Sequence, residues 1–171
     1  GFEMRPLKHD LMFLDMATVI SRQSHSIRLK VGCIIVEREK LGNIISFGWN
    51  GMPSGEINAC EVDVAGNIIT EEEFLLRGRM RKSDLKSREG VIHAERNALL
   101  KIDDFSIYND AVLYVTHEPC THCAEEIVES GFIGKVVFRY SYSPDINSSS
   151  YGKPSGTNYL ESNGIEVIQL T

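Results

Sequence analysis

Long apolar runs and an excess of positive charge are both missing from this 171-residue chain. No stretch approaches the roughly 18 consecutive apolar residues of a membrane span, and residues 1–10 lack the apolar centre of a signal peptide. The 18 Lys and Arg against 24 Asp and Glu give a net charge of -6, which repels a long nucleic acid on average. These absences predict a cytoplasmic protein with a small substrate, no membrane partner and no long nucleic-acid partner.

Cysteine is also scarce, because the chain holds only 4, too few for a disulfide framework at this length. The remaining composition, 42% hydrophobic and 25% charged, is typical of a folded globular protein and excludes disorder over most of the chain. We therefore expect a single domain over residues 1–171.

Hydrophobic periodicity predicts alternating helices and strands. Apolar residues at three- and four-residue steps predict a first helix, and two β-branched runs joined by a polar turn predict an antiparallel hairpin. The predicted helices are 8–22, 94–102, 120–131 and 157–163, and the predicted strands are 31–37, 43–49, 111–116, 136–139 and 165–169. Because several of these strands are continuously apolar, we expect helices on both faces of a mixed sheet.

Two segments interrupt this pattern. Residues 50–55 form a Gly/Pro/Ser-rich loop. Residues 53–92, called the insertion below, have weak periodicity and are too long for a plain connection in a compact domain. We interpret them as an insertion with its own task.

Two short motifs carry chemistry. His93-Ala94-Glu95 opens one predicted helix, and Pro119 with the C-x-x-C pair Cys120 and Cys123 opens another. One histidine and two cysteines form a three-ligand zinc set, which leaves a coordination position for water, as catalytic zinc sites do. We therefore predict one catalytic Zn²⁺ ion on these three residues, with Glu95 moving protons. A redox cysteine pair, or a structural zinc closed by His117 or His122, is the alternative.

The sequence resembles the deoxycytidylate (dCMP) deaminases of the cytidine deaminase superfamily, bacterial and phage type. The H-A-E and P-C-x-x-C motifs indicate the superfamily, and the strand VGCIIV followed by the loop GWNGMPSG is similar to the dCMP branch. The resemblance implies an α/β protein with a three-layer α/β/α cytidine-deaminase-like fold and a five-stranded mixed sheet. It also implies zinc-dependent hydrolysis of dCMP to dUMP and ammonia, which supplies thymidylate synthesis.

The same resemblance suggests substrate-binding residues. Asn50 is expected to bind the sugar hydroxyl, the backbone around Ala94 to read the pyrimidine, and Tyr142 to pack near the ring or the phosphate. For the 5′-phosphate we select Arg28 and Ser24, because the segment that contains them enters the first strand beside the expected pocket. For each side chain an ordinary turn, surface or packing role is the competing interpretation.

Regulation and assembly are further implications of the family. Many members are hexamers that dCTP activates and dTTP inhibits, so we expect a homo-oligomer and these effectors, with Mg²⁺ accompanying a triphosphate. The expected effector residues are Gly48, Trp49, Asn50, Gly51 and Gly55. The basic run 77–88 is a second, less favoured candidate. Because the insertion offers only Cys60 and no histidine, a second zinc site is not expected.

Two other classes of function stay open at the sequence level. A deaminase acting on a polynucleotide such as tRNA or single-stranded DNA, or on a free nucleoside or base, would share the zinc motif. A non-enzymatic interaction module stabilised by zinc would also share it, but Glu95 would then be dispensable.

Overall fold

A computed structural model describes residues 7–40, 43–148 and 150–171. The helices are α1 (Leu7–Ser21), α2 (Glu71–Arg77), α3 (Ala94–Leu100), α4 (Thr121–Ser130) and α5 (Thr157–Ser162). The strands are β1 (Gly32–Glu37), β2 (Ile44–Trp49), β3 (Glu61–Val62), β4 (Ile68–Ile69), β5 (Lys86–Ser87), β6 (Ala111–His117), β7 (Ile133–Tyr140) and β8 (Glu166–Gln169). Short 3₁₀ turns lie at Lys82–Asp84 and Phe105–Ile107.

Five of the strands form a mixed central sheet in the order β2-β1-β6-β7-β8. Strand β1 pairs antiparallel with β2 and with β6, whereas β6, β7 and β8 run parallel to one another. Strands β1 and β6 are buried along almost their whole length, as their continuous apolar sequences predict. The α/β fold with a five-stranded mixed sheet is confirmed.

Helices cover both faces of this sheet. Successive side chains of a strand point to opposite faces, and in β1 Cys33 and Ile35 join one apolar cluster while Ile34 and Val36 join another. Helix α1 packs on the second cluster, and α3 and α4 pack on the first. The molecule therefore has the predicted three layers.

Most predicted elements agree with the structure to within one to three residues at each end. The predicted helix over 8–22 is α1, and the predicted hairpin is β1 with β2. Residues 41 and 42 of the connecting turn lie outside the described residues. No helix of the described chain has the length and apolar character that crossing a membrane demands.

The insertion forms a small three-stranded sheet, separate from the central sheet. Its strands β4, β3 and β5 pair antiparallel in that order, and each is only two residues long. Helix α2 lies between β4 and β5 in the chain and begins with a capping box. The Thr70 hydroxyl accepts from the Glu73 amide, and the Glu73 carboxylate accepts from the Thr70 amide. Strands this short leave no periodic signal, which is why the sequence predicted no regular elements here.

A buried ion pair ties α1 to the sheet. The Asp10 carboxylate accepts a hydrogen bond from the Tyr114 hydroxyl at 2.5 Å and lies 3.2 Å from Lys135 Nζ, and all three side chains are buried. Removing one partner of a buried pair leaves the other charge without compensation. We expect Asp10→Ala to lower the free energy of unfolding by about 3 kcal/mol in urea titrations.

Asp15→Ala is the matched control on the same helix. Asp15 pairs with Arg139 at 2.8 Å, but its side chain is 73% exposed, so its loss should cost less than about 1 kcal/mol. Equal unfolding midpoints for the two variants would contradict the role given to Asp10.

Candidate active site

The three predicted metal ligands lie at the beginnings of two neighbouring helices. His93 is the N-cap of α3, and Cys120 is the N-cap of α4, where its side chain accepts a hydrogen bond from the Cys123 amide at 3.4 Å. Helices α3 and α4 lie on the same face of the sheet and contact each other. Residues distant in sequence therefore meet at one point.

The geometry of these three side chains fits a zinc ion. Nδ1 of His93 lies 3.1 Å from Cys123 Sγ and 3.6 Å from Cys120 Sγ, and all three ligand atoms lie within 4.8 Å of one another. A tetrahedral zinc ion with ordinary bond lengths separates its nitrogen and sulfur ligands by roughly 3.6 Å. Within the described ranges, no other group of three His, Cys, Asp or Glu side chains is placed to hold a metal.

The three ligand groups differ in protonation when no metal is bound. A hydrogen bond from the Cys123 side chain lowers the pKa of Cys120 to about 4, so this sulfur is a thiolate at neutral pH. The same interaction, with burial, raises the pKa of Cys123, and a hydrogen bond with Cys120 raises the pKa of His93 to about 9. The three groups share protons that zinc would displace, because coordination requires thiolates and a neutral imidazole.

Glu95 lies beside this cluster and is almost completely buried, with 4% of its surface exposed. Burial raises the pKa of its carboxyl group above the usual range. A carboxyl group whose pKa approaches the working pH can both accept and donate protons. Glu95 is therefore suited to proton transfer at the candidate metal site.

A pocket of about 900 Å³ opens over the cluster. His93, Ala94, Glu95 and Cys120 line one part of it. The same pocket includes the predicted residues Arg28, Asn50 and Tyr142. Its volume suits a small organic ligand.

Asn50 lies in the pocket but already makes two backbone hydrogen bonds. Its side-chain oxygen accepts from the Val31 amide at 2.9 Å, and its side-chain nitrogen donates to the Leu29 carbonyl at 2.8 Å. One acceptor lone pair and one N–H of the amide are not used by these two bonds. Through these bonds Asn50 holds the backbone of residues 29–31, just before β1. Its amide group still offers an acceptor and a donor to a ligand.

The two predicted phosphate residues have different positions. Arg28 lines the pocket, with its side chain 12% exposed. Ser24 is not among the lining residues: it is buried, and its hydroxyl donates to the Asn50 carbonyl at 2.8 Å. Ser26 lines the pocket instead. The structure therefore gives Ser24 a supporting position behind Asn50 rather than one in the pocket wall.

The predicted effector residues differ in burial and in their contacts. Gly48 is buried, and a Cβ atom there would lie 2.6 Å from the Ala98 nitrogen, so this glycine permits close packing of β2 on α3. Gly51 pairs with Ile92. Of the five residues only Asn50 lines the large pocket. The effector role of these five residues stays a prediction.

The alternative metal ligands have other partners, although His117 also lines the large pocket. His117 lies 2.8 Å from the Thr116 hydroxyl through Nδ1, and its ring packs on Tyr140 with centroids 5.0 Å apart. His122 is exposed and lies 3.3 Å from Glu126. Neither belongs to the three-ligand group, so the described residues do not close a four-ligand site. The two other cysteines, Cys33 and Cys60, are buried free thiols.

Two glutamates near the pocket were missed by the sequence analysis. Glu118 accepts from the Tyr142 amide at 2.9 Å and from the hydroxyls of Ser155 and Thr157, so it ties the segment after β7 to the cysteine turn. Glu61, in the insertion, is 1% exposed. Its position between a cysteine and a valine in a segment without periodicity gave no signal of burial.

Comparisons with known proteins bear on this site. The family described as "Cytidine and deoxycytidylate deaminase zinc-binding region" matches residues 7–140. The deoxycytidylate deaminase of Enterobacteria phage T4 is 31% identical over 92% of this chain and 87% of its own length, and that of phage T2 is 32% identical over 92% and 89%. The crystal structure of a cyanophage S-TIM5 dCMP deaminase in complex with dCMP and dUMP covers 98% of this chain and 100% of its own, with a TM-score of 0.68 and 28% identity.

Proposed function

We propose a function from the premise that this chain belongs to the family of cytidine and deoxycytidylate deaminases with a zinc-binding region. It is a zinc-dependent hydrolase that converts dCMP to dUMP and ammonia. The observation that carries this proposal is one pocket in which the His93, Cys120 and Cys123 cluster and buried Glu95 are joined by Arg28. The dUMP would supply thymidylate synthesis.

The residues divide the chemistry between them. His93, Cys120 and Cys123 would hold one Zn²⁺ ion, which when bound acts as a Lewis acid that lowers the pKa of water toward neutrality. Glu95 accepts a proton from the attacking water and delivers it to the ring nitrogen next to the attacked carbon. It then carries a second proton to the leaving amine, so that dCMP and water give dUMP and ammonia. The backbone around Ala94 reads the pyrimidine, and Asn50 binds the sugar hydroxyl.

Arg28 is the proposed ligand of the 5′-phosphate. Its guanidinium lines the pocket, donates to the Leu85 carbonyl at 3.3 Å and bonds the Ser87 hydroxyl. Guanidinium groups bind phosphate through strong, charge-assisted hydrogen bonds. Lys86 and Arg88 bring further positive charge to the pocket lining, which also holds the Arg28 partners Glu61 and Asp145. Tyr142 packs near the substrate.

Replacing Arg28 tests the phosphate assignment. We expect Arg28→Ala to raise KM for dCMP by about 10- to 100-fold, because a hydrogen bond between charged groups contributes about 1.5 to 3 kcal/mol. The KM for deoxycytidine, which lacks the phosphate, should change less than about two-fold. Steady-state kinetics on both substrates measure the difference.

Arg139→Ala is the matched control. Arg139 is as buried as Arg28 and also ion-paired, with 15% of its side chain exposed, but it is not among the residues that line the pocket. It should leave both KM values near those of the wild type. Equal losses of Arg28→Ala on the nucleotide and the nucleoside would assign Arg28 a structural role.

An absorbance assay tests the proposed function itself. Purified, zinc-loaded protein is incubated with dCMP, deoxycytidine, dCTP or single-stranded DNA, and the ultraviolet absorbance of the substrate is followed over time. Loss of the cytosine absorbance is expected with dCMP, and a much smaller rate with the nucleoside. Comparable rates on single-stranded DNA or tRNA would favour a polynucleotide deaminase. A folded, zinc-containing protein inactive on all of them would favour an interaction module.

Regulation, assembly and location complete the proposal. By resemblance to the family, the chain forms a homo-oligomer, a hexamer, that dCTP activates, with Mg²⁺ bound to the triphosphate, and that dTTP inhibits. Gly48, Trp49, Asn50, Gly51 and Gly55 are the candidate effector contacts. Four free cysteines support a reducing compartment such as the cytoplasm. Sedimentation with and without dCTP and Mg²⁺ tests the assembly.

That residues 1–171 form one domain stays a prediction.

A further inference from the structure

The insertion contains a buried carboxylate that the proposed mechanism does not use. Glu61 belongs to β3 and is 1% exposed. A buried carboxylate is costly unless it is paired and hydrogen-bonded, so its partners indicate what it stabilises. Those partners lie outside the insertion.

Glu61 binds three consecutive residues that precede β1. Its Oε2 atom accepts from the Ser26 hydroxyl at 2.8 Å and from the Arg28 amide at 3.1 Å. The Ile27 amide donates to both carboxylate oxygens, at 3.0 and 3.1 Å. Two backbone N–H groups and one hydroxyl therefore fix the conformation of residues 26–28, called the 26–28 segment below.

The same segment carries the proposed phosphate ligand. Arg28 Nε lies 3.8 Å from Glu61 Oε2, and the outer nitrogens of the guanidinium bond Leu85 and Ser87. Ser87 is in β5, which pairs with β3 next to Glu61. The backbone of Arg28 and the outer end of its side chain thus both contact the insertion, and Asp145, outside the insertion, also lies 3.5 Å from the guanidinium.

We propose that Glu61 is a positioning residue that sets the preference of the enzyme for a nucleotide over a nucleoside. This inference rests on the proposed function, and specifically on Arg28 as the phosphate ligand. Glu61 fixes the 26–28 segment, and the insertion thereby presents the guanidinium to the 5′-phosphate at a fixed distance from the metal ligands. The task of the insertion is phosphate recognition.

The physical basis is preorganisation. A long arginine side chain loses conformational freedom when it binds a ligand, and holding it beforehand removes part of that cost. Glu61 does so mainly through the Ser26 hydroxyl and the backbone of the 26–28 segment, because its oxygens accept from three donors there, whereas the guanidinium approaches it only to 3.8 Å. Small misplacements of a binding group can cost up to about 100-fold in rate.

Kinetics of Glu61→Ala on dCMP and on deoxycytidine test the inference. We expect KM for dCMP to rise about 10-fold, with kcat and zinc content near those of the wild type. On deoxycytidine kcat/KM should change less than about two-fold. Glu61→Gln keeps the volume and one acceptor oxygen, so it should give a smaller shift in the same direction, and it serves if the alanine variant fails to fold.

Glu73→Ala is the control within the insertion. It removes the capping box of α2, but Glu73 is not among the pocket residues and none of its hydrogen bonds reaches the 26–28 segment. The ratio of kcat/KM for dCMP to that for deoxycytidine should stay at the wild-type value. If Glu73→Ala lowered this ratio as much as Glu61→Ala does, any damage to the insertion would be enough to reduce the preference for the nucleotide. That result would contradict a specific role of Glu61.

The double variant separates this inference from the proposed function. If Glu61 acts through Arg28, then Glu61→Ala should cost nothing further on dCMP when Arg28 is already alanine, because coupled residues are not additive. Independent, additive losses, or equal losses on both substrates, would overturn the positioning role. A wild-type enzyme without dCMP activity, or an Arg28→Ala variant with unchanged substrate preference, would instead refute the proposed function or its phosphate assignment.

Discussion

Replacing Glu95 with glutamine is expected to lower kcat on dCMP by about 10⁴-fold, at the upper end of what general acid–base catalysis contributes. Glutamine keeps the size of the side chain but neither accepts nor donates the transferred protons. The effect is large because one carboxyl group serves the attack, the protonation of the ring and the departure of ammonia. Zinc content should stay at the wild-type level, because Glu95 is not one of the three ligands.

The pH profile gives a second test of Glu95. Burial raises the pKa of its carboxyl group above the usual 4.5, and the ionised form must accept the first proton. Activity of the wild type should therefore fall as the pH decreases through this raised pKa. The residual rate of Glu95→Gln should lack that acidic limb.

Glu125→Gln is the control for the same substitution on an exposed surface of α4. Its kcat should match that of the wild type. A Glu95→Gln enzyme within about 10-fold of wild-type kcat would remove the proton-transfer role, since general acid–base catalysis contributes at least about 100-fold.

Replacing Cys123 with alanine should abolish both zinc retention and activity. This thiol is 1% exposed and is one of the three proposed ligands, so its loss leaves a histidine and one thiolate. Two ligands do not hold a catalytic zinc ion firmly, and the carboxyl group of Glu95 then has no activated water to act on. Metal analysis after dialysis and the dCMP assay measure the two losses.

Cys33→Ala provides the matched control. Cys33 is also a buried thiol, in β1, and burial raises its pKa, but it is not part of the ligand group. Its replacement should leave one zinc ion per chain. Full zinc occupancy in Cys123→Ala would contradict the assignment of the ligands.

The metal cluster could be predicted from the sequence because its information is local. Each of the two motifs places its metal-binding residues at the start of one helix, and β6 leads directly into the turn that contains Cys120. The strand-helix-strand order then suffices to bring both helix starts to one face of the sheet. For the same reason the β-branched and apolar runs predicted the individual strands, whereas the five-stranded mixed sheet was implied by the family resemblance.

The wall of the pocket around Arg28 could not be predicted in the same way. It depends on contacts of Arg28 with Glu61, with Ser87 and with Asp145, which lies 3.5 Å away and 117 positions later in the chain. Nothing in a single polar residue indicates such a partner. Ser24 stays a predicted phosphate residue, although its hydroxyl is buried and donates to the Asn50 carbonyl, a contact that its place in the sequence does not indicate.

Removal and return of zinc test the central claim most directly. Purified protein should contain one zinc ion per chain and convert dCMP to equal amounts of dUMP and ammonia. A chelator should remove the metal and the activity together, and added Zn²⁺ should restore both in proportion. Full conversion of dCMP by metal-free protein, or zinc-loaded protein that releases no ammonia from dCMP, would contradict the account.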